Sequence, residues 1–231
     1  MRTRLIQLFL SIVLASGLSA QEIKPVEPEF KDYIPLLENA GYELYTFDIS
    51  SLLPKRYDLQ FSIRMYNGDK VKEYPQGGTT NLLFASDFPE SVSISPEEMA
   101  DPEHGIYTQA KRLNIGFSPT PADSTKNLYI DVENMASKGT ILPLRHVENA
   151  PGMKKLYEYD SRRFKIDSIA TGEFIPLVLF GSYWWDEKAN INRFCGEREL
   201  SADLTDEILK HIPQYYIIGV TLTKTDEEDK K

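Results

Sequence analysis

Between residues 57 and 65, apolar and polar positions alternate strictly: Tyr57, Leu59, Phe61, Ile63 and Met65 are separated by Asp58, Gln60, Ser62 and Arg64. Successive side chains on a strand point to opposite faces, so this period of two predicts a strand buried on one side. Asn67-Gly68 comes next, ahead of a second run in DKVKEY. The dipeptide predicts a two-residue hairpin turn, because both of its positions tolerate positive φ. Shorter runs of the same kind predict strands over 42–49, 80–85, 111–118, 127–134, 139–147, 154–160 and 162–169, a further one near RFCGEREL (193–200), and a last one over 214–224. Turn formers separate them, among them Gly77-Gly78, Pro119, Pro121, Pro151-Gly152 and Gly172.

Helical patterning is scarce. DYIPLLENAG (32–41) and DLTDEILKHI (203–212) each predict a short helix. Many short strands with two short helices imply an all-β fold, an antiparallel, jelly-roll-like β-sandwich. No repeat or low-complexity linker divides residues 41–225, which are expected to form a single domain after an arm and short helix at 21–40 and before a charged tail at 226–231.

FIPLVLFGSYWW (174–185) breaks the alternation. On a regular strand, Phe174, Pro176, Val178, Phe180, Ser182 and Trp184 share one face, and Ile175, Leu177, Leu179, Gly181, Tyr183 and Trp185 share the other. Both faces are largely apolar, which predicts a central strand covered on both sides, with a helix or long loop over its outer face. Neighbours on a strand cannot share one flat platform. The expected role of Trp184 and Trp185 is therefore core packing, with each indole N–H reaching a partner at the edge. The competing role is ligand binding, in which a ring exposed at the strand end stacks on a sugar or anchors a protein, with Tyr183, Asp186 and Glu187 beside it.

The leader MRTRLIQLFLSIVLASGLSA carries Arg2 and Arg4, an apolar run and a small-residue end, the plan of a cleaved signal peptide over 1–20. Its apolar run is shorter than the roughly 20 residues that a membrane span needs. The expected location is extracytoplasmic, in the periplasm or outside the cell. Position 21 is Gln, so a lipid anchor attached to a cysteine after the cut is not expected. The single cysteine, Cys195, cannot close an internal disulfide, which leaves the hydrophobic core to carry stability. Net charge is −9 over 231 residues, and losing the two leader arginines lowers it to −11. Such a balance argues against a nucleic-acid backbone as partner.

Candidate chemistry is sparse. His104, His146 and His211 have no metal-ligand spacing, and the loop holding Asp101, Glu103 and His104 is of a kind more often solvated than metal-bound. No metal or cofactor is expected. Cys195 reads as a small buried hydrophobe inside a strand. A glycosidase needs only two suitably spaced carboxylates, and Glu173, Asp186 and Glu187 at the ends of the apolar run are the first to consider. Tyrosine leads the aromatics, with 13 Tyr against 11 Phe and 2 Trp. Tyr157, Tyr159, Tyr215 and Tyr216 are candidates for an interaction surface, with alternate members of each pair in the core.

The segments YTFDISSLLPKRYDLQFSIRMYNGDK (45–70) and IPQYYIIGVTLTK (212–224), together with the leader, resemble an uncharacterised family of small exported Bacteroidetes proteins, a domain of unknown function. The resemblance implies an exported, β-rich protein and assigns no catalytic residue. The expected function is noncatalytic binding of an envelope protein or a glycan. The alternative is a hydrolase of glycans or peptides that uses carboxylates from separate strands.

Overall fold

A computed structural model describes residues 25–52, 57–74, 79–82, 110–133, 136–147 and 156–224. In chain order the elements are helix α1 (Phe30–Asn39), β1 (Glu43–Asp48), a 3-10 turn (Ser50–Leu52), β2 (Tyr57–Asn67), β3 (Lys70–Tyr74), β4 (Thr79–Leu82), β5 (Arg112–Pro119), β6 (Thr125–Val132), β7 (Ala136–Pro143), β8 (Tyr159–Lys165), β9 (Phe174–Ser182), β10 (Trp184–Asp186), β11 (Ile191–Arg193), β12 (Glu199–Ser201), a second 3-10 turn (Glu207–Lys210) and β13 (Gln214–Lys224). Among the described residues no helix is long and apolar enough to cross a membrane.

Gly41 ends α1. At φ +84 its N–H bonds to the Glu38 carbonyl and the Tyr42 N–H reaches back to Leu37, at 2.8 and 2.9 Å. This paired closure satisfies two carbonyls that the helix leaves open and turns the chain into β1.

The described strands form two main sheets, as an antiparallel sandwich requires, and a separate two-stranded ribbon of β10 and β11. The smaller sheet has the order β1-β5-β6-β7 and the larger β12-β8-β9-β13-β2-β3, with β4 also paired to β2. Among the described strands only β12 pairs in parallel, with β8. Between the sheets, Leu59, Phe61 and Ile63 of β2 and Ile218, Val220 and Leu222 of β13 meet Leu113, Ile115 and Phe117 of β5 and Leu128, Ile130 and Val132 of β6 in one cluster. Phe180 stacks on Phe117 at 4.5 Å and on Tyr159 at 5.1 Å in its midst. A second cluster lies on the other face of the larger sheet, where Phe194, Leu200, Ile208 and Ile212 cover Phe164, Leu179, Tyr215 and Ile217. The predicted long loop over the apolar strand is this segment.

Several local expectations change. Asn67 pairs with both Gln214 and Lys70, so it stays in the ladder, and the turn residues are Gly68 and Asp69. Gly68 alone carries positive φ, the requirement of a type II′ turn. The runs at 154–160 and 162–169 yield one described strand, β8, preceded by an isolated bridge between Val147 and Leu156. No strand passes through Cys195, which is exposed between β11 and β12 and is not a buried hydrophobe. DLTDEILKHI forms only the second 3-10 turn. Tyr215 and Tyr216 are both buried, because both faces of β13 are covered, and so they offer no surface.

The apolar run 174–185 is two strands. β9 ends at Ser182 and the tryptophans belong to β10, which pairs with β11 instead. Within β9 the register to β13 steps from Ile218↔Val178 to Gly219↔Pro176, leaving Leu177 as an extra residue. Proline has no N–H to give the ladder and is accommodated in sheets at such bulges. The bulge sends Ile175, Leu177, Val178 and Phe180 all into the inter-sheet cluster. Strict alternation had put Ile175 and Leu177 opposite Val178 and Phe180.

Candidate functional site

The sandwich is closed along one side and partly open along the other. At the β7 side the Tyr216 hydroxyl donates to the Pro143 carbonyl at 2.5 Å and the Tyr74 hydroxyl to that of Ile141 at 3.5 Å. At the opposite side β1 faces β8, tied to it at one end and apart from it at the other.

The tie is polar. The Tyr45 hydroxyl donates to Ser161 Oγ at 2.6 Å, and the Ser161 hydroxyl donates in turn to the Glu43 carboxylate in a short hydrogen bond. Lys126 Nζ stands 3.7 Å from Glu43 Oε1 and donates to the Gly41 carbonyl at 2.8 Å. Burial pushes the Glu43 carboxyl above its ordinary value of 4.5, the Ser161 hydrogen bond and Lys126 hold part of that rise back, and Asp160 adds to it. Burial likewise raises Tyr45. Ser161 is only 3% exposed, so its hydroxyl joins two sheets and is not presented to solvent as a nucleophile.

This arrangement gives an inverted pH dependence. A carboxyl whose native pKa lies above the unfolded one binds its proton more tightly in the native state. Its contribution is fully present below the unfolded value of 4.5 and is lost as pH rises through the raised native value. Glu43→Gln removes the titration. Urea melts across this range are expected to show wild type losing stability relative to the variant as pH rises, and a difference that stays flat contradicts the burial of Glu43.

Where β1 and β8 separate, a cavity of about 910 Å³ opens. One wall is the whole run Leu44–Ile49, and the other is Arg163–Lys165 with the residues that follow to Ile169. Leu59, Leu113, Ile175, Leu177, Val220 and Leu222 form its floor. The bulge at Pro176 is what brings Leu177 into this floor. At the rim, Arg163 pairs with Glu199, and Lys165 with Asp167 at 3.1 Å, exposed pairs that contribute little energy. A second cavity of about 310 Å³ includes Lys126, Glu158 and Tyr159. Ser161 lies on β8 between Tyr159 and Arg163, so the polar tie separates the two.

The residues expected at a binding site lie elsewhere. Trp184 stacks on His211 at 5.5 Å and leans on Phe194 at 6.4 Å, and Tyr183 lies against the same Phe194 at 5.4 Å. Trp184 and Trp185 are half-buried neighbours on β10, where side chains alternate faces, so they form no shared platform. Asp186 accepts from the Ala189 N–H at 3.0 Å and pairs with Arg193 at 3.1 Å. The Ala189 N–H, and after it Arg193, lower its pKa, which marks it as a fastener of the β10–β11 turn. Glu187 and Glu173 are exposed. None of Tyr183, Trp184, Trp185, Asp186 and Glu187 lines either cavity. Tyr157 and Tyr159 are half-buried, and both line the smaller one.

Among the described residues no three His, Cys, Asp or Glu side chains are placed to hold a metal ion. Asp101, Glu103 and His104 lie outside the described residues. The residues that sequence reasoning missed are Glu43, Lys126 and Ser161. One sign was available for Glu43: in YELYTFDI it occupies the same inward phase as Tyr45 and Phe47, a charged residue where the pattern calls for an apolar one.

No curated protein and no solved structure matches the chain. The model of the family described as domain of unknown function (DUF5041) matches residues 12–224, nearly the whole length, and the chain belongs to that family.

Proposed function

We propose that the chain is a noncatalytic binding module that takes an extended polypeptide segment of a partner into the cavity beside β1. The observation that carries this reading is an aliphatic floor in a cavity of ligand-binding size, walled by β1 from Leu44 to its end. Leucine, isoleucine and valine outnumber the three rings of the lining, Tyr45, Phe47 and Phe164, and suit aliphatic side chains of a peptide better than the C–H face of a sugar. Among the described residues β1 pairs with β5 alone, so its other edge offers main-chain donors and acceptors to an added strand. The leader supports an exported protein, which makes the partner an envelope protein.

A hydrolase is supported less well. Glu43 is the described carboxyl with a raised pKa and Asp160 acts on it, the pairing that an acid–base site uses. Yet Glu43 lines neither cavity, and its hydroxyl partner is buried.

Selection from a random peptide library against the full chain tests the reading. Ile169 is 49% exposed at the rim, so Ile169→Glu places a charge at the mouth without disturbing the core. Enriched peptides are expected to be rich in aliphatic residues and to bind the variant at least about tenfold more weakly, a loss of about 1.4 kcal/mol. No enrichment, or peptides indifferent to Ile169→Glu, removes the cavity as their site.

A further inference from the structure

We propose that the outer face of the four-stranded sheet is a second, separate binding site, a platform for a neutral oligosaccharide centred on Tyr129. Two rows of that face carry the argument. In the first, Leu44, Gly116, Tyr129 and Gly139 stand opposite one another across β1, β5, β6 and β7. In the second, one step along, Thr46, Asn114, Asp131 and Ser137 do the same.

The first row sets one aromatic ring between two glycines. On one side Leu44 and Tyr129 lean over Gly116, where an added Cβ would stand 3.4 Å from Leu44 Cδ1 and 3.9 Å from Tyr129 Cδ1. On the other side Gly139 is an open shelf, where a Cβ would meet only the Leu128 carbonyl oxygen, at 3.9 Å. Tyr129 is 45% exposed and so presents ring surface next to a strip of bare backbone. An aromatic ring carries negative charge on its face and positive at its edge. The C–H face of a pyranose is the complement of such a ring, and a glycine shelf lets a flat molecule come down beside it.

The second row supplies directed polar groups. Thr46 Oγ1 donates to Asn114 Oδ1 at 2.8 Å, and Asn114 Nδ2 donates to Asp131 Oδ2 at 3.1 Å. This chain fixes the amide and the carboxylate in place while leaving acceptor capacity on Asp131, beside the exposed Ser137 hydroxyl. Partial desolvation, and then the Asp131 carboxylate, raise the Tyr129 pKa, and a hydrogen bond with Ser137 lowers it, so the ring and the polar row are joined. Stacking surface and hydroxyl-binding groups thus lie one strand step apart, about the width of a sugar ring.

Charge selects the class of saccharide. Asp131 is the one ionisable carboxylate in the two rows, and the chain as a whole carries a net −9. Acidic glycans are repelled, and a neutral ligand suffers no such cost. The centre of a protein interface is a contiguous apolar patch depleted of charge. Leu44, Tyr129 and Ile141 expose apolar surface here, but the adjacent row of Thr46, Asn114, Asp131 and Ser137 interrupts it with polar groups and a carboxylate.

Calorimetry of the full chain with neutral hexasaccharides of β-glucan, mannan and N-acetylglucosamine, and with hexagalacturonate as the acidic counterpart, tests the site. At least one neutral probe is expected to bind and the acidic one is not. Tyr129→Ala is expected to weaken binding at least about tenfold with an unchanged circular dichroism spectrum, since the ring lies on the surface. Gly139→Val keeps the ring and fills the shelf, and the same loss is expected from it. The proposal fails if no neutral probe binds at millimolar concentration, if hexagalacturonate binds best, or if both variants bind as the parent does.

Discussion

Gly219→Ala is expected to destabilise the protein by at least about 3 kcal/mol, the upper range for overpacking of a tight interior. An added Cβ would stand 2.4 Å from the Ile175 carbonyl oxygen and 2.5 Å from the Phe174 ring. Neither can retreat cheaply. The oxygen belongs to β9, which pairs with β13 immediately beside the bulge, and moving it breaks the ladder where Pro176 has already removed a donor. The ring is pinned from its other side, with the Arg64 guanidinium 3.7 Å above its centroid. Urea denaturation measures the loss, and Gly139→Ala is the control. Its position is open, and its effect is expected to stay within about 1 kcal/mol. If Gly219→Ala unfolds at the same urea concentration as the control, β9 and β13 do not approach as closely as described.

Phe180→Ala is expected to cost about 3–5 kcal/mol, the usual range for deleting a large buried ring. Phe180 is 1% exposed, and its ring stacks on Phe117 of the smaller sheet and on Tyr159 at the end of β8. Its loss leaves a hole between layers and removes the support of a tyrosine whose hydroxyl donates to Gln214 Oε1 at 2.5 Å and accepts from the Arg145 N–H at 2.9 Å. Denaturant melts with tyrosine fluorescence follow both effects. A cost below about 2 kcal/mol means that the two layers close over the vacancy.

Much of the architecture was written in the alternation of single strands. β2 and β13 lie where period two and the final apolar run put them, since in-phase burial of Leu59, Phe61 and Ile63 depends only on a regular strand. What escaped local reading depended on partners far along the chain. Pro176 inside an apolar run gives no sign of which residue will bulge, because that is decided by pairing with Gly219, more than forty residues later. Cys195 looked like core for its hydrophobicity, but the chain turns there so that Phe194 and Leu200 on either side can reach the larger sheet. The tie at the open edge draws Glu43, Lys126 and Ser161 from three strands, and no spacing in sequence relates them. Trp184 and Trp185 drew attention as a pair, while Tyr129 stood unremarked in an ordinary strand, because exposure beside a glycine is a property of registered neighbours.

β13 sits between β9 and β2 in the larger sheet, and it is made from residues 214–224, after every other described strand. Until those residues leave the ribosome, β2 and β9 have no strand to join them, and both apolar clusters lack the members that β13 supplies. Completion of the sandwich therefore waits on the last described strand, a long-range pairing of the kind that slows folding.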